Sequence, residues 1–330
     1  MTVGTTDRKI DKLIHLLAMN ATVVVPGPKI ASEIGVSRAT VWKWIEKLRS
    51  LGVEIKGHPA TGYQLSKLPD ILAPSLIRPE LGEIQIGHRI VHFFKTDSTN
   101  NVAIKLANED APHGTVVVAE EQTAGRGRFG RAWYSEKSSG IYCSIILRPK
   151  LPPALAPALT LMAGVAAHRA LSGTTGLKFD IRWPNDLLTG GKKVCGILTE
   201  MSADLDYLHH VVLGIGINVN HREIPGELSA TASSLRIEAG KRFSRANILV
   251  ALLKEIEQLY KVLLRDGPAP IAAAWAATSS FSEGKRVRVT GTGGPYAAIT
   301  AGLDPSGALR VRKESGEVIT LISGEVVETK

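Results

Sequence analysis

The residues with the clearest chemical content lie between positions 97 and 220. Gly125-Arg126-Gly127-Arg128-Phe129-Gly130, followed by Arg131 and Trp133, sets three arginines on a glycine-rich loop. Glycines let such a loop fold over a ligand, and guanidinium groups offer fixed, permanently charged donors to phosphate or carboxylate oxygens. A solvated basic loop is the other reading, and the letters alone leave both open. The same letters fit the G-x-G-x-x-G fingerprint of a dinucleotide fold, but their surroundings do not. That fingerprint follows a strand directly, opens a helix and precedes an acidic residue by about 20 positions. Here Arg148-Pro149-Lys150 stands at that distance, so nicotinamide chemistry is rejected.

Three more segments tip the balance toward a ligand. Asp97-Ser98-Thr99-Asn100-Asn101 puts hydroxyls and amides at the start of an expected helix, suited to a polar ring or an anion. Arg182-Trp183-Pro184-Asn185-Asp186 ends a strand in a turn, and Lys193 on the next strand can face Asp186 across a hairpin. Gly214-x-Gly216-x-Asn218 carries glycines that let something approach the backbone closely. Cys143 and Cys195 have no partner spacing for a structural zinc site, and no protein-bound metal is expected.

These residues need elements to hold them. Strand-like runs at 115–120, 141–147, 178–183, 194–200 and 210–217 alternate with helical runs near 100–108, 154–171 and 245–264. They describe one mixed α/β domain over 88–270. Short strands at 285–290, 296–301, 308–312 and 318–322, divided by glycine-rich turns, suggest a small β-barrel over 271–330. Residues 69–87 hold three prolines and little charge at their start, and read as a linker.

Residues 1–68 differ in charge as well as pattern. They hold ten Lys or Arg against five Asp or Glu, although the whole 330-residue chain carries only +9. Ile10, Leu13, Ile14 and Leu17 recur at helical spacing. Ala31-x3-Gly35-Val36, followed by Val41, Ile45 and Leu48, describes two helices packed across a tight turn. A hairpin over 53–65 completes a winged helix-turn-helix. From Gly27 to Glu46 this unit is expected to bind DNA, reading bases with Ser37, Arg38, Thr40, Trp42 and Lys43, with Lys47 further along. Trp44 is assigned to the core. A three-helix bundle for protein contacts is the alternative.

No run approaches about 18 consecutive apolar residues, and the start of the chain lacks the uninterrupted apolar core of a secretory leader. A cytoplasmic protein without membrane contact is expected.

Taken together, Ser98-Thr99-Asn100, Gln122-x2-Gly125-Arg126-Gly127-Arg128-x2-Arg131-x-Trp133, Trp183-Pro184-Asn185-Asp186, Lys193-x2-Gly196 and Gly214-x-Gly216-x-Asn218 resemble the biotin–protein ligases. With the helix-turn-helix, the chain resembles the bifunctional bacterial form, ligase and biotin operon repressor in one. The resemblance implies a multidomain α+β protein: a winged helix-turn-helix, a central mixed α/β ligase domain and a C-terminal SH3-like β-barrel. It implies synthesis of biotinyl-5′-AMP from biotin and ATP, with Mg2+ accompanying ATP, and transfer of biotin to a lysine of a biotin carboxyl carrier protein. Operator DNA and a ligand-promoted homodimer complete the implied partners. By the same resemblance, Ser98, Thr99, Asn100, Gln122, Arg126, Gly127, Arg128 and Lys193 bind biotin. Arg128, Arg131, Trp133, Asn185, Lys193 and Asn218 bind ATP, and Arg126, Arg128, Asp186 and Lys193 carry the catalysis. Arg182 stands where that family usually has lysine. A non-catalytic biotin sensor and a lipoate–protein ligase remain as alternatives.

Overall fold

The structure, a computed structural model, describes residues 5–21, 23–58, 61–67, 70–291, 294–304, 306–322 and 324–329. The first unit is built as its spacing requires. Helices α1 (Thr5–Met19), α2 (Gly27–Ile34) and α3 (Arg38–Ser50) bury Ile10, Leu13, Leu17, Ile30, Val41, Ile45 and Leu48 against one another. Gly35 ends α2 at φ +71°, a left-handed conformation that a side chain would strain. Ser37 starts α3, its Oγ accepting the Thr40 N–H at 3.1 Å. Strands β1 (Ile55–His58) and β2 (Gly62–Leu65) form the antiparallel wing, and Val25 bridges to Tyr63 beside it. Pro59 and Ala60 at its tip lie outside the described residues, as do Leu68 and Pro69, where the linker is expected to begin.

The rest of the expected linker is structured. Ile71, Leu72 and Ala73 are buried, and α4 (Pro74–Leu81) follows with Ile77 and Leu81 inward. Of its two prolines, which read as loop, Pro74 occupies the first turn, where no N–H partner is needed, and Pro79 lies inside the helix. Asp11 of α1 accepts from Ser75 N at 3.0 Å and Ser75 Oγ at 2.6 Å, which ties the first unit to α4. Ile71, Ala73 and Phe94 join the helix-turn-helix core, so this joint is packed.

The central sheet contains β3 (Ile90–Phe93), β4 (Val116–Ala119), β5 (Gly140–Leu147), β6 (Asp180–Arg182), β7 (Asp186–Thr189), β8 (Lys192–Ala203) and β9 (Leu208–Asn218). Their order is β3-β4-β5-β9-β8-β7-β6, with only β3 and β4 parallel. Every residue of β5 is buried, because both faces are covered. On one side lies α5 (Thr99–Asn108), placing Ala103 and Ala107 against Ile146 and Val212. On the other lie α6 (Ala156–Thr175), the short α7 (Leu235–Ala239), α8 (Arg245–Asp266) and α9 (Ala269–Thr278). Residues 153–175 are long and apolar enough to cross a membrane, but two-thirds of the apolar window is buried between the sheet and α8. It is a core helix.

The last unit is an antiparallel sheet of β10 (Glu283–Gly291), β11 (Gly294–Leu303), β12 (Leu309–Lys313), β13 (Val318–Leu321) and β14 (Glu325–Glu328). Its order, β13-β12-β11-β10-β14, is an open ladder; among the described residues the two end strands do not pair. A boundary at residue 271 falls inside α9, whose Ile271 and Trp275 join a core shared by the central domain and the C-terminal sheet. The C-terminal sheet begins at Glu283.

Candidate active site

Glycine decides the floor of the site. Gly196 on β8 and Gly216 on β9 are cross-strand partners. The Trp133 indole lies on both: a Cβ at Gly216 would sit 2.5 Å from its ring, and one at Gly196 2.8 Å. A Cβ at Gly214 would come within 2.1 Å of Asn100 Oδ1. The close approach expected at these glycines is therefore made by Trp133 and Asn100.

One wall comes from the start of α5. Gln122 Oε1 accepts from Thr99 N at 2.8 Å and Thr99 Oγ1 at 3.1 Å, while its Nε2 donates to Ser135 Oγ. Ser144 on β5 donates toward Thr99 Oγ1 and Asn100 Oδ1. Asn100 Nδ2 donates to Glu200 Oε2 at 2.7 Å, and Glu200 also receives Arg126 at 3.1 Å. Ser98, Thr99 and Asn100 are buried, so this hydroxyl and amide wall is fixed before any ligand arrives.

The arginine loop forms the roof. Arg128 donates to the Gly324 carbonyl at 3.1 Å and reaches Asn185 Oδ1 at 3.5 Å. Burial lowers its pKa, with Asp186 and Glu325 opposing that shift. Arg131 meets Glu325 through two contacts, of 2.8 and 2.6 Å; this hydrogen-bonded pair raises the Arg131 pKa and lowers that of Glu325. The C-terminal sheet thus closes on the loop. Sequence reasoning missed Glu325, and no local signal could have found it, because the pair spans 194 positions.

The opposite end is ionic. A cis Trp183–Pro184 bond leads into the turn at Asn185, whose Nδ2 donates to Ile197 O at 2.7 Å. Asp186 takes Arg182 at 2.8 Å on one oxygen and Lys193 at 2.7 Å on the other. The expected hairpin contact between Asp186 and Lys193 is present. A register shift between Leu187 and Leu188 redirects Lys193, as bulges beside functional sites do. Its Nζ stands 5.3 Å from the Trp133 ring centroid. Asn218 donates to Ser233 O, and its buried Oδ1 has no protein partner among the described residues.

All thirteen small-molecule residues expected from the sequence line one cavity of about 440 Å³, Ser98 to Gln122 at one end and Asp186, Lys193 and Asn218 at the other. A larger cleft of about 710 Å³, between α1 and α4, contains none of them. The cavity also touches Cys143, whose thiol burial pushes up to about 12, far too high for a nucleophile at neutral pH. What the site can offer is charge stabilisation and enclosure.

On the helix-turn-helix, Ser37, Arg38 and Lys43 are exposed and Thr40 half-buried along the start of α3. Trp42 is 55% exposed, whereas Trp44 is in the core, as assigned. Lys47 lies over the Phe94 ring at 4.2 Å, so it serves the joint between the domains.

Residues 93–218 match the Biotin/lipoate A/B protein ligase family, residues 9–64 an HTH domain, and residues 284–327 the Biotin protein ligase C terminal domain. The chain is 39% identical over 306 residues to the bifunctional ligase/repressor BirA of Bacillus subtilis, covering 92% of this chain and 94% of that protein. It is 29% identical to the BirA of Escherichia coli, covering 96% and 95% respectively. It superposes on a biotin protein ligase from Aquifex aeolicus in complex with biotin and ATP, with a TM-score of 0.63 and 31% identity, over 73% of this chain and 98% of that one. The chain therefore belongs to the biotin protein ligase family, among its bifunctional ligase/repressors.

Proposed function

We propose that the protein is an ATP-dependent biotin–protein ligase that also represses transcription of biotin synthesis with biotinyl-5′-AMP as corepressor. The observation that carries this reading is the single cavity in which an amide and hydroxyl wall meets Arg126, Arg128, Arg131 and Lys193.

In the first step a biotin carboxylate oxygen attacks the α-phosphorus of ATP and pyrophosphate leaves. No enzyme nucleophile is needed. Ser98, Thr99, Asn100 and Gln122 hold the biotin ring system, and Arg126, Gly127, Arg128 and Lys193 surround its carboxylate. Arg128, Arg131, Trp133, Asn185, Lys193 and Asn218 hold the ATP end, with the unpaired Asn218 Oδ1 ready to accept a hydrogen bond. A preorganised donor at a developing phosphate charge contributes on the order of 3 kcal/mol. Mg2+ bound to the ATP phosphates would offset their charge, with Asn185, Asp186 and Asn218 lining the end of the cavity that would hold it.

In the second step the ε-amine of a lysine on a biotin carboxyl carrier protein attacks the biotinyl carbonyl and AMP leaves. The loop over 125–131 excludes water from the mixed anhydride meanwhile. Asp186, held between Arg182 and Lys193, orients Lys193, and we assign it as the carboxylate that assists deprotonation of the incoming amine.

The five-stranded C-terminal sheet acts as an SH3-like unit closing the ATP end. In the repressor role, α3 reads a half-site in the major groove, and two copies are needed for a palindrome. Ordering of the arginine loop on biotinyl-5′-AMP supports the homodimer. The setting is cytoplasmic.

Incubation with ATP, labelled biotin and a carrier domain should label one carrier lysine. Biotin binding without turnover would indicate a sensor, and labelling only with lipoate a lipoate ligase. Sedimentation with a non-hydrolysable adenylate analogue should shift toward dimer, and operator binding should tighten with it.

A further inference from the structure

Alternation along β10 and β12 turns Val287, Val289, Leu309 and Val311 inward and Arg286, Arg288, Arg310 and Arg312 outward. The register makes one surface of them. Arg286 and Arg312 flank Ile299 in a single cross-strand row that continues to Val318, and Arg288 stands between Ala297 and Val327. Ile299, Val318 and Val327 are 43%, 50% and 41% exposed, so the guanidinium groups stand around an apolar floor.

These charges are not balanced within the chain. Among the described residues none of the four arginines has a carboxylate within 4.0 Å. Of the carboxylates on this sheet, Glu325 pairs with Arg131, Glu328 with Lys285 and Glu317 with Lys313, while Glu283 and Glu314 lie at the strand ends and reach none of the four. Like charges gathered on neighbouring strands repel, and an apolar floor between them is exposed without benefit to the free protein. A partner with acidic groups around an apolar contact would relieve both.

The position of the face indicates which partner. Val327, the cross-strand partner of Arg288, also lines the cavity, and Glu325 on the same strand holds the loop through Arg131. The face therefore runs without a break from the mouth of the cavity across β10, β11 and β12. We propose that it is the docking surface for the protein that accepts biotin, and that this acceptor presents an acidic patch beside its lysine. The proposal rests on the ligase reading above, in which a lysine amine must arrive at this mouth from outside. Continuity with the cavity favours a protein acceptor over nucleic acid.

The test uses the full-length protein with the double substitution Arg286→Glu and Arg312→Glu, and follows three reactions. These are ATP–pyrophosphate exchange with biotin, transfer of the biotinyl group to hydroxylamine, and transfer to a carrier domain. The first two should be unchanged. The KM for the carrier should rise roughly tenfold or more with kcat retained, and its salt dependence should flatten. Arg286→Lys with Arg312→Lys should restore most of the loss. An unchanged carrier KM overturns the proposal, as does an equal loss in the hydroxylamine reaction, which would mean a damaged cavity. Loss of binding to duplex DNA with normal carrier kinetics would assign the face to nucleic acid instead. A wild-type protein that fails to exchange pyrophosphate would overturn the ligase reading itself.

Discussion

Arg131 and Glu325 join the arginine loop to the C-terminal sheet through paired contacts of 2.8 and 2.6 Å, across 194 positions of sequence. Arg131 is 63% exposed, so the pair contributes little to global stability, under about 1 kcal/mol by the usual behaviour of exposed ion pairs. Its effect is local. Glu325→Gln should leave the melting temperature almost unchanged but loosen residues 125–131. Limited proteolysis of the ligand-free protein should cut the variant there faster than wild type.

Lys193→Ala should abolish most adenylate synthesis in a folded protein. Lys193 is the cation that the β8 bulge turns toward Asp186 and Trp133. Losing one charge-stabilising donor typically lowers kcat by about 10²–10³. Pyrophosphate exchange measures this directly, and a near wild-type rate would remove Lys193 from the mechanism.

Arg128→Gly should release the activated intermediate. Arg128 fastens the roof to Gly324 and Asn185, and the loop has too many glycines to stay closed by backbone stiffness. Escaped adenylate would label lysines on bystander proteins. A variant that labels only the carrier would show that other contacts hold the loop.

Gly214→Ala should weaken biotin binding more than ATP binding. The added Cβ would collide with Asn100 Oδ1, which accepts from Ser144 on a buried side chain whose Nδ2 is already donated to Glu200. The KM for biotin should rise while that for ATP holds, and equal rises would place Asn100 elsewhere in the reaction.

Acid should unfold the joint between the domains first. Burial alone would raise the Glu120 pKa, but Arg245 above all, then His92 and the Leu72 N–H, hold it down at about 2. A depressed carboxyl contributes stability above its ordinary value of 4.5, and loses it as pH falls toward 2. Glu120→Gln should flatten that slope. It should also cost about 3–5 kcal/mol at neutral pH, because Arg245 would stay buried with only Asp70 as counter-charge. Urea titrations at several pH values measure both.

Several features were legible before any fold was known, and each depends on short-range geometry. Gly35 and Ser37 mark a turn and a cap by their local chemistry. The apolar spacing of α1 and α3 selects the buried face, Trp44 included. The nearness of Lys193 to Asp186 follows from a hairpin of few residues, although Asp186 pairs with Gly196 and the register shift that turns Lys193 toward it was not legible. The loop arginines pointed to an anion only when taken together with the segments around Ser98, Asn185 and Gly214. Other features needed the folded chain. Proline in a first helical turn and proline in a linker look alike as letters, so α4 and its burial were invisible. The alanine-rich α9 carries no charge pattern to show that it belongs with α6 and α8 rather than with the strands after it. Tertiary packing alone brought Glu325 to Arg131, set Trp133 on Gly196 and Gly216, and buried Arg245 against Glu120 and Asp70. Such contacts depend on which faces of distant elements meet, and no local periodicity encodes that.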